Sequence, residues 1–390
     1  MQRRIYVDYG ATTPTDSRVV EAMVPYFTDK FGNAGSIHAL GQEAREAVDR
    51  AREIVASAIG ASPQEIVFTS GATEADNFAV LGAAWGNEAR GRHLITSSIE
   101  HHAVLEPCLF LEGRGFEVTY LPVDRTGWVD PDDVRRAIRP DTILISVMSA
   151  NNEIGTLEPV AEIGRIARDR GILMHTDATQ SVGISPVHVD ALSVDLLSLS
   201  AHKRYGPKGV GALYVRKGSK LTRVQGGGSQ ERNRRAGTEN VPGIVGFGAA
   251  LALALEVMDE EASQLRRLRD RLIDELARLD GAHLNGHRTD RLPGNINLSF
   301  EGADSESLLL ALDFQGVAAS SGSACTSGSL EPSHVLTAIG LRPEIAAGTV
   351  RLTLGRWTTS QDVDDMLTIF PEVLRSLRPA LAGRARRAAS

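Results

Sequence analysis

A lysine, an aspartate, a turn of small residues and a cysteine stand where chemistry could be done. Lys203 follows the apolar run Leu196–Ser200 within Ala201-His202-Lys203. A lysine at the end of a buried strand is costly unless it is paired or used covalently. Desolvation lowers its pKa and frees the amine to form a Schiff base. Asp177 follows another apolar run, Ile172–Thr176, and opens Asp177-Ala178-Thr179-Gln180. It is either a structural ion pair or cap, or the carboxylate that keeps a pyridinium nitrogen protonated. Ile66-Val67-Phe68 runs into Thr69-Ser70-Gly71-Ala72-Thr73-Glu74. Small residues opening a helix make an ordinary N-cap, or an anion site built from free N–H groups, the helix dipole and the Thr73 hydroxyl. An anion site, an acid and a lysine at successive strand ends are the parts that a pyridoxal 5′-phosphate (PLP) site requires.

The chain has two cysteines, Cys108 and Cys325. Cys108 lies among Leu105, Leu109 and Phe110 and reads as a packed, inert thiol. Cys325 sits in Ala319-Ser320-Ser321-Gly322-Ser323-Ala324-Cys325-Thr326-Ser327-Gly328-Ser329. So much Gly and Ser cannot bury apolar surface, so a mobile exposed loop is expected, and an exposed free thiol is a liability unless it is a nucleophile. No G-x-G-x-x-G follows a strand, and neither a Walker A sequence nor H-E-x-x-H is present. Glu100-His101-His102 with His175 and Asp177 could suggest zinc. Adjacent histidines point apart, however, and no C-x-x-C supports them, so no metal is expected.

The elements that must position these groups alternate along the chain. A 3.6-residue period from about His38 to Ile59 marks a helix face with Ala44, Ala47, Val48, Ala51, Ile54, Val55 and Ala58. The runs His93–Ser97, Val118–Leu121, Thr142–Met148, Ile172–Thr176, Leu196–Ser200 and Gly211–Val215 alternate with helical or polar stretches, which predicts an α/β fold with a mostly parallel, doubly covered sheet. In such sheets ligands bind beyond the carboxyl ends of the strands, which is where the candidate residues fall. A long helical pattern from about Ile244 to Leu279 marks passage to a smaller α/β domain with strand signals at Ile296–Phe300 and Val350–Leu354. The basic end, Arg384 to Ser390, reads as a solvated, disordered tail. With 390 residues, net charge −7 and two cysteines, the chain excludes a disulfide framework and has no global pull toward nucleic acid or anionic membrane. The start lacks a signal-peptide core, and no run reaches the roughly 20 apolar residues of a membrane helix, so a cytoplasmic protein is expected.

Several motifs together resemble the cysteine desulfurases of the NifS/IscS type. They are Asp177-Ala178-Thr179-Gln180, Ala201-His202-Lys203, Ser70-Gly71-Ala72-Thr73-Glu74 and Ser320-Ser321-Gly322-Ser323-Ala324-Cys325-Thr326. Asp8–Pro14, Glu100–Leu105 and Asn151–Gly155 match as well, so the likeness runs from about residue 5 to about residue 360. The resemblance implies a fold-type I PLP-dependent transferase that works as a homodimer. Its large domain, 15–255, would hold a mostly parallel seven-stranded sheet; residues 1–14 and 256–390 would form the small C-terminal α/β domain, carrying the Cys325 loop at about 319–332. Lys203 would hold the cofactor, Asp177 would meet its pyridine nitrogen and Gln180 its phenolic oxygen. His101 would stack on the ring and move protons. Ala72, Thr73, Ser200 and His202 would hold the phosphate, helped by Thr238 from the other subunit. Arg351, in Thr349-Val350-Arg351-Leu352, would clamp the substrate carboxylate as a fork, unless it is only an ion pair; Asn33 and Asn152 stand beside it, and Asn152 also counts as a cofactor contact.

The implied reaction turns L-cysteine into L-alanine and moves the sulfur to Cys325 as a persulfide, then to an acceptor. The long form of the Cys325 loop resembles the branch that serves several acceptors. Ala201 replaces a glycine common in the family. The chain ends in Arg384-Ala385-Arg386-Arg387 without the longer extension that some members use to dock the iron–sulfur scaffold protein. Iron–sulfur assembly is the first acceptor considered, with tRNA or DNA thiolation as alternatives. A selenocysteine lyase or aminotransferase of the same fold is opposed by the Cys325 loop. A sulfur-binding partner that has lost its cofactor is opposed by Lys203.

Overall fold

The computed structural model describes residues 4–322 and 333–388; Cys325 and most of its loop lie outside the described residues. A short strand, β1 (Ile5–Tyr6), comes first, and the main sheet follows. Its strands are β2 (Ile66–Thr69), β3 (His93–Ser97), β4 (Glu117–Leu121), β5 (Thr142–Ser146), β6 (Leu173–Asp177), β7 (Leu196–Ser200) and β8 (Gly211–Val215). The order is β2-β8-β7-β6-β5-β3-β4, with β8 antiparallel to both neighbours and the other pairings parallel. The sheet is thus the mostly parallel one that the alternating runs predict.

Burial on both faces explains why β2, β3, β5, β7 and β8 read as apolar runs and not as alternations. One core gathers Phe68, Ile95, Ile145, Met174, Leu197, Leu199 and Tyr214 under the helix Ala39–Ala58, whose Ala44, Ala47, Val48, Ala51 and Val55 face inward. The other face packs Val67, Leu94, Leu144 and Leu213 against the helix Ala72–Asn87. Cys108 belongs to this second core, and burial pushes its thiol up to about 12, which makes it inert.

A further core forms around β9 (Ala282–Leu284), β10 (Asn295–Phe300) and β12 (Thr349–Thr353), an antiparallel sheet in the order β12-β10-β9. The first strand, β1, pairs in parallel with β11 (Val317–Ala318), so Ile5 and Val7 belong to this core although they are remote in sequence. The helix Val241–Leu276 serves both regions: Val241, Ile244, Phe247 and Leu251 enter the large-sheet core, and Ala262, Leu265, Leu272 and Ile273 enter the later one.

Two sequence expectations change here. A stretch of the helix Val241–Leu276 is apolar and long enough to cross a bilayer by length and composition; half of it is buried inside the protein. Its apolarity comes from facing a core on several sides, including the packed helix Ala39–Ala58. Arg384 to Ala388, expected as part of a disordered tail, continue the helix Ser360–Ala388. Ala, Leu and Arg are good helix formers, and an established helix extends one residue at a time at little cost.

Candidate active site

The parallel strands end on one rim of the main sheet, and a cleft of about 460 Å³ opens there. The turn after β2 contributes Ser70–Glu74, and the loop after β3 contributes His101. Met148, Ala150 and Asn152 come from beyond β5. Asp177, Thr179 and Gln180 lie at the end of β6, and Ser200, His202 and Lys203 at the end of β7. Gly10, Ala11, Thr12, Lys208, Gly209 and Arg351 close it. All the sequence candidates but three therefore line one cavity. The exceptions are Cys325, outside the described residues, Asn33 and Thr238.

The helix Ala72–Asn87 starts at Gly71, and no side chain caps its first turn. Its leading amides have no partner within the helix and point into the cleft end. A Cβ built on Gly71 would meet nothing within 4 Å, and the same holds for Gly209 (φ +80°) across from it. The backbone there leaves room for an anion to approach the N–H groups. Glu74, also on the cleft wall, accepts from Ser70 N and pairs with Arg235 at 2.7 Å.

At the other end Asp177 is buried and accepts from Thr179 N at 2.9 Å. Lys203 Nζ donates to the carbonyls of Gly10 (2.6 Å) and Ala11 (2.8 Å), and Gln180 Nε2 donates to the same Gly10 oxygen at 3.2 Å. His101 caps the helix His102–Glu112, its Nδ1 accepting from Ala103 N at 3.1 Å. An accepting Nδ1 leaves the proton of a neutral ring on Nε2. Burial holds the His101 pKa below its ordinary value; Asp177 opposes that shift, and Lys203 adds to it. Burial, with Lys203 and Lys208, brings His202 down to about 4, and its Nδ1 meets Thr12 Oγ1 at 3.1 Å. Both imidazoles are neutral at pH 7.

Arg351 on β12 is fully buried. It donates through Nη2 to Asp8 Oδ1 at 2.9 Å and through Nη1 to the Asn152 carbonyl at 3.1 Å. Its Nε, the hydroxyls of Thr179 and Ser200, and both oxygens of Asp76 are buried without a hydrogen-bond partner among the described residues, and all four residues line the cleft. Orphaned polar atoms gathered around one cavity mark a place that a polar ligand completes.

The sequence model of the class-V aminotransferases matches residues 5–366. The chain belongs to the class-V aminotransferase family. It is 56% identical to the cysteine desulfurase IscS of Dictyoglomus turgidum over 379 residues, covering 97% of this chain and 96% of that protein. It is 56% identical to the IscS of Methanosarcina thermophila over 376 residues, 96% of this chain and 93% of that one. Among solved structures, a NifS-like protein superposes with a TM-score of 0.90 at 40% identity, covering 96% of this chain and 100% of that one. SspA in complex with cysteine gives 0.80 at 40% identity, with coverage of 91% and 99%.

Enzymes of this family depend on PLP, and the cleft fits that group: an anion cradle at one end, a buried carboxylate at the other, and a lysine with orphaned hydroxyls between. Asn33 does not reach the cleft within this chain; it is exposed, and its Oδ1 accepts from Gly35 N at 2.8 Å. Thr238 lines a smaller adjoining cavity that shares Ser70 and Gly209 with the cleft. Sequence reasoning missed the Gly10 and Ala11 carbonyls, Asp8, Asp76 and Glu153. Glu153 Oε2 accepts from Ser333 Oγ at 2.6 Å, and Ser320 is bridged by backbone to Arg351, so the chain on both sides of residues 323–332 is fixed at this rim. The acids in Asp8-Tyr9-Gly10 and Asn151-Asn152-Glu153 were the available signals.

Glu100, next to His101, is fully buried; its Oε1 accepts from Ser97 Oγ (2.5 Å) and Met148 N (2.9 Å). Burial raises its carboxyl from 4.5 to about 8. Between those values the folded chain keeps a proton that the unfolded chain has released, so this group makes stability fall as pH rises from 4.5 to about 8. Glu100→Gln keeps the accepting oxygen and removes the titration. The denaturation midpoint of the variant is expected to depend less on pH across that window than the wild type's. An unchanged dependence would mean that Glu100 is ionised in the folded protein.

Proposed function

We propose that this chain is a PLP-dependent cysteine desulfurase that converts L-cysteine to L-alanine and carries the sulfur on Cys325 as a persulfide. The observation that supports this most is the grouping of Lys203, Asp177, His101 and the Gly71 helix start in one cleft, in a chain 56% identical to proteins named cysteine desulfurase. Domains at 15–255 and at 1–14 with 256–390 follow the two regions of core served by the helix Val241–Leu276.

When bound, the cofactor supplies an electron sink that acidifies the substrate's α-proton and weakens its C–S bond. The chain's own groups do the rest. Ala72, Thr73, Ser200 and His202 hold the phosphate, Asp177 the pyridine nitrogen, and Gln180 the phenolic oxygen. Lys203 Nζ, presented by the Gly10 and Ala11 carbonyls, holds the cofactor and, once released, takes the α-proton. His101 covers the ring face and offers a proton at Nε2. Arg351, oriented by Asp8 and the Asn152 carbonyl, binds the substrate carboxylate, with Asn33 and Asn152 as its companions. Cys325 Sγ attacks the substrate sulfur: the S–S bond forms as the C–S bond breaks, and the substrate carbon takes the proton that completes alanine.

The protein works as a cytoplasmic homodimer in which Thr238 of one subunit, which lies outside its own chain's cleft, supports the phosphate site of the other. The acceptor is an iron–sulfur scaffold protein, since the relatives at 50–56% identity are named IscS. Transfer to tRNA or DNA is the second reading.

The test is an absorbance spectrum before and after L-cysteine, with alanine and sulfide assayed in parallel. A yellow protein that makes alanine supports the proposal; a yellow protein that makes none sinks it. Thiol labelling supplies a second check. The native protein is expected to react at one cysteine and the unfolded chain at two, because the buried Cys108 thiol is both shielded and far from ionising. Two fast-reacting thiols in the native state would contradict the placement of Cys108.

A further inference from the structure

Asp76 lies one turn into the helix Ala72–Asn87 and lines the cleft together with Asp177. It is completely buried, and neither carboxyl oxygen has a hydrogen-bond partner among the described residues. The nearest basic group is His175 Nε2, 3.5 Å from Asp76 Oδ1. That imidazole is already engaged: Nδ1 meets Ser146 Oγ at 2.8 Å and Nε2 meets Ser198 Oγ at 3.0 Å. The two serines are fixed by strand register, Ser146 opposite His175 on β5 and Ser198 opposite Asp177 on β7. Burial brings His175 down to about 4, so it is neutral and offers Asp76 no positive charge. The charged groups that act on Asp76 are two further carboxyls, Asp177 and Glu100.

An ionised carboxylate in this position would be buried without a cation and beside a like charge, both of which disfavour the anion. Two carboxyls in one dry site resolve this by keeping a single charge between them. Asp177 has a backbone donor, Thr179 N, that stabilises the anion, whereas the only donor acting on Asp76 is the Ser198 hydroxyl, which also meets His175 Nε2. We propose that Asp76 is a positioning residue for Asp177: the two share one negative charge, held on Asp177 at the cleft, with Asp76 neutral behind it. The consequence is that the charge under the cofactor ring has a fixed address. This rests on the reading that Asp177 meets the pyridine nitrogen.

Infrared difference spectroscopy on the PLP-loaded protein at neutral pH reads the proton directly. Asp76→Asn is expected to lose one carbonyl band of a protonated carboxyl, separate from the band lost in Glu100→Gln. The visible absorbance titration of the cofactor should stay where it is in Asp76→Asn and move in Asp177→Asn. If Asp76→Asn loses no band, or moves the titration as far as Asp177→Asn does, the proposal is overturned. Should Asp76→Asn fail to fold, the wild type still decides. With the Glu100 and Glu158 bands subtracted using Glu100→Gln and Glu158→Gln, a remaining protonated-carboxyl band at neutral pH supports the proposal, and its absence overturns it. Failure of the underlying reading looks different: Asp177→Asn would then leave both the retention and the spectrum of the cofactor unchanged.

Discussion

Cys325→Ser is expected to lower alanine and persulfide formation by roughly 10³-fold or more while the protein stays yellow and folded. The substitution changes one atom, but the reaction depends on that atom. A thiolate is a strong, polarisable nucleophile within reach of neutral pH, whereas a serine hydroxyl is hardly ionised there and its oxygen cannot carry sulfur as a persulfide. The residues that fit the cofactor are elsewhere, on the strand ends and the start of the helix Ala72–Asn87, so cofactor retention should not change. Cys108 offers no substitute, because it is buried and its thiol sits near 12. The informative pair of measurements is alanine release and cofactor absorbance in the same sample. Wild-type alanine release from Cys325→Ser would mean that sulfur leaves by a route that bypasses Cys325. Loss of colour would mean that the cysteine loop helps to build the cofactor site.

The groups easiest to read in the sequence were those at the ends of long apolar strands. Lys203, Asp177 and the Ser70–Glu74 turn follow runs whose burial on both faces leaves few alternatives, so strand order and strand ends were legible together. Boundaries moved by one or two residues, as at Leu173–Asp177, where Asp177 closes the strand. What stayed hidden came from pairings with no local period. The contact of β1 with β11 joins two-residue strands more than 300 residues apart; just beyond it Asp8 is bridged to Thr353 on β12, which brings it to Arg351, and Thr13 bonds to the His202 backbone, which brings the Gly10 carbonyl to Lys203. Asp76 was invisible for another reason: on a helix, one acid among small residues reads as an ordinary solvent-facing position. Only the packing of that helix over β6 and β7 makes it a buried one.

Replacing Lys203 by alanine should have the broadest effect, removing three functions at once. The covalent hold on the cofactor goes, so borohydride should no longer fix it to the chain, and cofactor should be lost on dialysis. The base that takes the α-proton also goes, a loss that by itself is worth about 10²- to 10⁴-fold. The third effect is electrostatic: Lys203 helps to hold His101 and His202 neutral, so their pKa values should rise in the variant. Lys203→Ala therefore differs from Cys325→Ser in kind. The first should stop α-proton exchange of L-cysteine with solvent deuterium, and the second should leave that exchange in place while sulfur transfer fails. Running both variants through one deuterium-exchange experiment separates the proton step from the sulfur step. Exchange that survives in Lys203→Ala would move the base to another residue of the cleft wall, and His101 could serve only by releasing Ala103 N from Nδ1, because its Nε2 already carries the ring proton.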